Sequence, residues 1–206
     1  MLSYGILNAL RGKKVNPYEL LNQNKEYFKN KKAFIFDMDG TLIDSMQYWW
    51  QLAGDDMSKY ASHAEYMAEK YSTVIDFKDT AVEFLDYLKA NGVRMCIATD
   101  TAATMSKGFF DRFPFFADYF EFTVDCTHVG TSKRKSPAIY DLATEKFGLN
   151  KEDVLVFEDN YYALITAVNA GYDVVGIYDE ANASNKEKIA EICVDYIYDY
   201  TEIMPK

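Results

Sequence analysis

Soft metal ligands are scarce in this sequence, which has 2 histidines and 3 cysteines in 206 residues. Cys96, Cys126 and Cys193 stand far apart with no C-x-x-C pair, so neither a zinc cluster nor a disulfide framework is suggested. Cys96 sits inside an apolar run and reads as a small core residue. A reducing cytosol is the simplest setting for such a chain. His63 lies among polar residues of helical composition, reads as exposed, and is not nominated as a ligand. Basic residues are outnumbered, 22 against 32 acidic, and the formal charge of -10 disfavours a broad nucleic-acid surface. No apolar run approaches the roughly 20 residues of a membrane span. The first residues, MLSYGILNALRGKK, place their basic side chains after the apolar ones. That is the reverse of a secretory signal, so the segment reads as a retained part of a soluble protein.

What the sequence does have is apolar bulk and clustered carboxylates. A hydrophobic content of 49% with 16% aromatics argues against disorder and leaves room for one domain with an insertion. The most informative stretch is AFIFDMDGTLIDS, residues 33–45. Residues 33–36 are apolar and read as a short buried strand that stops at Asp37. Gly40 signals a turn, which puts Asp37 and Asp39 on one loop. Two carboxylates that close repel unless a cation lies between them or one holds a proton. A helix N-cap accounts for one Asp, but not for two that flank Met38 and run into Gly40 and Thr41.

Further strands are expected over 93–98, 119–124, 154–157 and 173–178, with a last apolar run over 195–198. Helical spacing with Pro and Gly punctuation predicts helices over 79–92, from Thr101 or Ala102 towards Phe110, from Ser136 to Gly148, up to Ala170, and near 184–192. Upstream, Asn16, Pro17 and Glu19 make a capping-box-like start, and Tyr18, Leu21, Lys25 and Phe28 recur at helical spacing. Strands that alternate with helices predict a parallel sheet covered on both faces, with ligands outside the carboxyl ends of the strands. Three strands end in polar groups: Asp37 and Asp39, Thr99 and Asp100, Glu158 and Asp159. A basic cluster, Lys133, Arg134 and Lys135, is one loop away. Together they describe a cation site with room for an anion beside it, and oxygen ligands alone suit Mg²⁺.

The decapeptide FDMDGTLIDS resembles the first signature of the haloacid dehalogenase-like superfamily, in its phosphatase and phosphomutase branch, and order and spacing agree over residues 33–177. The resemblance implies an α/β fold with a three-layer, Rossmann-like parallel core built from residues 32–45 and 79–206. It also implies a helical cap inserted after the first strand, here a small one of two or three helices over residues 46–78. Residues 1–31 lie outside it and read as an N-terminal helical extension. Tyr48, Trp49 and Trp50 fall at the start of the cap, more as packing between cap and core than as substrate contacts.

By resemblance, Asp37 is the nucleophile that becomes an aspartyl-phosphate. Asp39 is the general acid and base, and its backbone carbonyl is a metal ligand. Thr99 binds the phosphoryl group, with Asp100, Gly40 and Thr41 as further phosphate-side candidates. Asp37, Asp39, Glu158 and Asp159 form the Mg²⁺ site. Relatives carry a lysine three residues before the proline of the helix start, where this chain has Arg134. A one-residue shift gives that role to Lys133, with Lys135 second. Relatives often have glycine where Ala163 stands.

The function expected from all this is Mg²⁺-dependent hydrolysis of a small phosphorylated metabolite in the cytoplasm. A β-phosphoglucomutase-like phosphomutase is the alternative, and a non-catalytic ligand- or partner-binding module is the alternative of another class. The expected partner is a small-molecule phosphate ester, with no nucleic acid and no membrane. Monomer and dimer are left open.

Overall fold

The computed structural model describes residues 25–51 and 57–205. The N-terminal helical stripes through Leu21, and Gly54 within the insertion, lie outside the described residues. Phe28, the last member of the predicted stripe, is buried in a 3₁₀ turn, Glu26–Phe28. Lys25 pairs with Asp195 at 2.8 Å.

Six parallel strands form one sheet: β1 (Ala33–Phe36), β2 (Arg94–Thr99), β3 (Phe122–Asp125), β4 (Val154–Glu158), β5 (Asp173–Ile177) and β6 (Asp195–Ile197). Their spatial order is β3-β2-β1-β4-β5-β6. The chain winds outward from β1 to β3, then returns to the other side of β1 and winds outward again. A crevice opens where that direction reverses, between the carboxyl ends of β1 and β4.

Period-two alternation sorts the strand residues onto two cores. Phe34, Phe36, Met95, Ile97, Leu155 and Phe157 face a core rich in aromatics. It is covered by α2 (His63–Thr73), α3 (Ala81–Ala90) and α4 (Ala103–Arg112). Ala33, Ile35, Cys96, Ala98, Val154 and Val156 face the other core. That side is covered by α6 (Ala138–Phe147), α7 (Tyr161–Asn169) and α8 (Lys186–Ile192). Two further short helices, α1 (Met46–Gln51) and α5 (Cys126–Val129), follow β1 and β3.

Phe36 pairs in register with Phe157, and their rings stack at 4.5 Å. Such a contact adds about 0.5–1.5 kcal/mol beyond the area it buries. It lies at the last residue of β1 and the last but one of β4, so it fixes the two strand ends that carry the acidic groups.

The third strand begins at Phe122 rather than at residue 119. Pro114 opens a 3₁₀ segment that runs to Tyr119, and Phe113, Phe115, Phe116 and Phe120 pack there edge to face instead of pairing. The stretch after β1 is helical, with α1, a 3₁₀ turn over Met57–Lys59, and α2. Helix α2 lies along α4. The approach is close because Gly108 has no side chain: a Cβ there would stand 2.5 Å from Cβ of Ser72. Arg112, at the end of α4, donates to the carbonyls of Tyr71 at 3.3 Å and Ile75 at 2.7 Å, which occupies backbone acceptors at the end of α2.

Candidate active site

A cavity of about 600 Å³ opens at the strand reversal. Asp37, Asp39, Thr99, Asp100, Lys133 and Asp159 line its floor, and Trp49, Trp50, Arg134 and Tyr162 stand around it. Asp37 is the first residue after β1, and its N–H donates to the Phe157 carbonyl at 2.9 Å, extending the ladder by one rung. The chain then turns at Gly40, whose φ is +79°. A Cβ at this position would lie 2.5 Å from Oδ2 of Asp159, so the turn and the carboxylate can share the space only with glycine.

Oxygens of Asp37, Glu158 and Asp159 lie within 4.8 Å of one another, and all three residues are buried. Burial, followed by the charge of Glu158, holds the Asp37 carboxyl well above its usual range, with Lys133 pulling the other way. Burial and the neighbouring Glu158 and Asp179 do the same to Asp159. Three crowded carboxylates with one lysine leave negative charge uncompensated. The donors are oxygens only, which fits a hard divalent cation such as Mg²⁺.

Lys133 Nζ reaches Asp37 Oδ1 at 2.5 Å and Glu158 Oε2 at 2.8 Å. Burial alone would lower its pKa, but Asp37, Glu158 and Asp100 outweigh burial and raise it, so the ammonium keeps its charge. Its loop is held from behind, because the Lys133 N–H donates to both Asp100 oxygens, at 3.0 and 3.3 Å. Asp100 thus faces the lysine loop. Glu158 also accepts from Tyr140 at 2.8 Å and from the Asn160 N–H at 3.1 Å, so neither carboxylate oxygen lacks a donor.

The other sequence candidates divide. Lys135 is exposed and does not line the cavity, and Arg134, also exposed, lays its guanidinium over the Tyr162 ring at 5.0 Å. Thr99 is buried on the cavity floor, where its hydroxyl accepts from the Thr101 N–H at 3.0 Å. Thr41 does not line the cavity itself, and its buried hydroxyl donates to Oδ1 of Asp159 at 3.3 Å. Ala163 is buried in the first turn of α7. The Asp39 carboxylate is not part of the three-carboxylate group. Hydroxyls converge on it instead, from Ser45 at 2.6 Å, Thr101 at 2.7 Å and Tyr71.

Several of these partners carried no sequence signal of their own. Tyr71 sits in an ordinary amphipathic helix, and Thr101 is one hydroxyl among many. Asn182, which donates to Asp159 Oδ2 at 3.0 Å, comes from a 3₁₀ segment, Glu180–Asn185, beyond β5. Ser45 closes the decapeptide and could have been singled out there. Trp49 is half-buried against the core and Trp50 is 65% exposed at the mouth.

A doubly wound α/β sheet with a carboxylate–lysine cluster at its reversal point is an enzyme-like arrangement. Residues 49–171 match the haloacid dehalogenase-like hydrolase family, and the chain belongs to it. The matched segment contains Lys133, Glu158 and Asp159 but begins after the FDMDGTLIDS turn, so the two signals are independent. Solved structures share the fold. A proposed β-phosphoglucomutase from Thermotoga maritima is 22% identical with a TM-score of 0.68, covering 84% of this chain and 96% of that one. A hydrolase from Pseudomonas syringae is 21% identical with a TM-score of 0.66, covering 83% and 95%. CbbY from Rhodobacter sphaeroides, solved in complex with phosphate, is 17% identical with a TM-score of 0.64, covering 84% and 96%. No curated protein sequence matches the chain. Among the described residues no helix is long and apolar enough to cross a membrane.

Proposed function

We propose that the chain is a Mg²⁺-dependent phosphatase that hydrolyses a small phosphorylated metabolite through an aspartyl-phosphate on Asp37. One observation carries the reading: Asp37 lies buried at the strand reversal, ion-paired to Lys133 at 2.5 Å and grouped with Glu158 and Asp159. Asp37, Glu158, Asp159 and the Asp39 carbonyl would hold Mg²⁺, which would neutralise phosphoryl oxygens. An Asp37 oxygen attacks phosphorus and forms the new P–O bond. As the ester P–O bond breaks, Asp39 gives its proton to the departing oxygen. Asp39 then takes a proton from water, the hydroxide attacks phosphorus, the bond to Asp37 breaks, and phosphate leaves. Lys133 orients Asp37 and offsets the charge that gathers there, while the Thr99 hydroxyl faces the phosphoryl group. The three free cysteines fit a reducing compartment, and we place the protein in the cytosol.

Hydrolysis is preferred over phosphomutase chemistry because a mutase must keep water from its phospho-enzyme. Among the described residues, Trp50 lines the cavity and is 65% exposed, which favours entry of water. The test is phosphate release from p-nitrophenyl phosphate and a panel of sugar and small-acid phosphates, run with Mg²⁺, with EDTA, and with Asp37→Asn. Turnover that needs Mg²⁺ and vanishes in Asp37→Asn is the expected result. An Asp37→Asn protein as active as the parent would sink the proposal.

A further inference from the structure

We infer that Tyr71, contributed by the insertion helix α2, is a positioning residue for the acid–base carboxylate Asp39. The inference rests on the phosphatase reading and adds a residue that neither the signature nor its spacing indicates. Tyr71 is fully buried, and its phenol donates to Asp39 Oδ1, the oxygen that also accepts from Ser45 at 2.6 Å. Thr101 donates to the opposite oxygen at 2.7 Å and lies 3.5 Å from the Tyr71 phenol. Trp49, on the rim of the same cavity, packs against the aromatic core that holds Tyr71. With donors on both oxygens, the carboxyl group cannot rotate without breaking hydrogen bonds in a buried site.

The placement of Tyr71 is itself enforced. Its neighbour Ser72 rests against Gly108 so closely that a Cβ there would stand 2.5 Å away, and Arg112 grips the Tyr71 carbonyl at 3.3 Å. Helix α2 therefore brings a fixed donor to the reacting carboxyl. When Asp39 gives its proton to the leaving oxygen it becomes a carboxylate, and the Tyr71 hydrogen bond to it becomes charge-assisted. That gain arises only as the proton leaves.

The distinguishing readout is dependence on the leaving group. Phenyl phosphate and p-nitrophenyl phosphate have the same ring to bind, but only the nitrophenolate departs readily without a proton. In Tyr71→Phe, kcat/KM for phenyl phosphate is expected to fall about 10–100-fold, and for p-nitrophenyl phosphate about 3-fold or less. Gly108→Ala, which shifts α2 without touching the phenol, is expected to give the same split and serves if Tyr71→Phe folds poorly. Equal losses on both esters, or no loss on either, would overturn the assignment of Tyr71. The two readings separate in one experiment. If the parent is active and Asp37→Asn dead while the split is missing, only Tyr71 is misassigned, whereas activity retained in Asp37→Asn removes the phosphatase reading too.

Discussion

Lys133→Met deletes the only ammonium within ion-pair distance of Asp37 and Glu158 among the described residues, while keeping much of the side-chain volume. In the parent, Nζ lies 2.5 Å from Asp37, 2.8 Å from Glu158 and 3.4 Å from the Ala98 carbonyl. Removing one partner of a buried ion pair costs about 3–5 kcal/mol, because the remaining charge has neither water nor counter-ion. For a chain of this size each kcal/mol moves Tm by about 2–4 °C, so the melting point in EDTA should drop by about 6–20 °C. The drop depends on pH. Asp37 and Asp159 already hold protons more tightly than usual, and losing Lys133 strengthens that hold. A carboxyl with a raised folded pKa contributes stability that is full below about pH 4 and lost as pH rises towards its folded value. The deficit should therefore be larger at pH 8 than at pH 5. Turnover of p-nitrophenyl phosphate should fall at least about 100-fold, as when one preorganised electrostatic contact is removed. Lys135→Met, on an exposed side chain, should stay within about 0.5 kcal/mol of the parent and keep its activity. Thermal melts in EDTA together with phosphate release provide the assay. If Lys133→Met melts with the parent, or Lys135→Met is the variant that loses activity, the reasoning from buried charge is wrong.

Two further outcomes follow from the same geometry. Gly40→Ala forces a Cβ to within 2.5 Å of the Asp159 carboxylate at a φ of +79°. The apparent Mg²⁺ affinity, read from the Mg²⁺ dependence of turnover, should weaken about 10–100-fold, as it does when support around a metal ligand is lost; an unchanged titration contradicts the role given to Asp159. Mg²⁺ at about 100 times its Kd should add about 2.7 kcal/mol, or about 5–11 °C in Tm, near pH 7.5. That increment should shrink as pH falls towards the raised folded-state values of Asp37 and Asp159, because carboxylates must lose their protons to bind a metal; an increment independent of pH counts against Asp37 and Asp159 as ligands.

Much of this protein was legible one segment at a time. Residues 33–36 are apolar without interruption and end at an Asp–x–Asp–Gly turn, so both the buried strand and the acidic loop could be read locally. The same logic applied to Thr99 and to Glu158–Asp159, each at the end of an apolar run, and alternation with helices then put all three strand ends on one edge. The third strand was misplaced by a few residues because aromatics favour strands in isolation, whereas here Pro114 and the surrounding rings hold them in a 3₁₀ turn. Three adjacent basic residues could not be told apart by spacing, since a one-residue shift in a loop exchanges their roles. Only the packed structure buries Lys133 against Asp37, sets Arg134 on the cavity rim over Tyr162, and leaves Lys135 exposed away from it. Tyr71 was beyond sequence reasoning for a similar reason. It meets Asp39 from 32 positions further along the chain, and the meeting depends on how closely α2 can approach α4 at Gly108. Periodicity reports which face of a segment is buried, because that preference is local to the segment. Which buried polar atom meets which is decided by the distance between packed elements, and that exists only once the chain has folded.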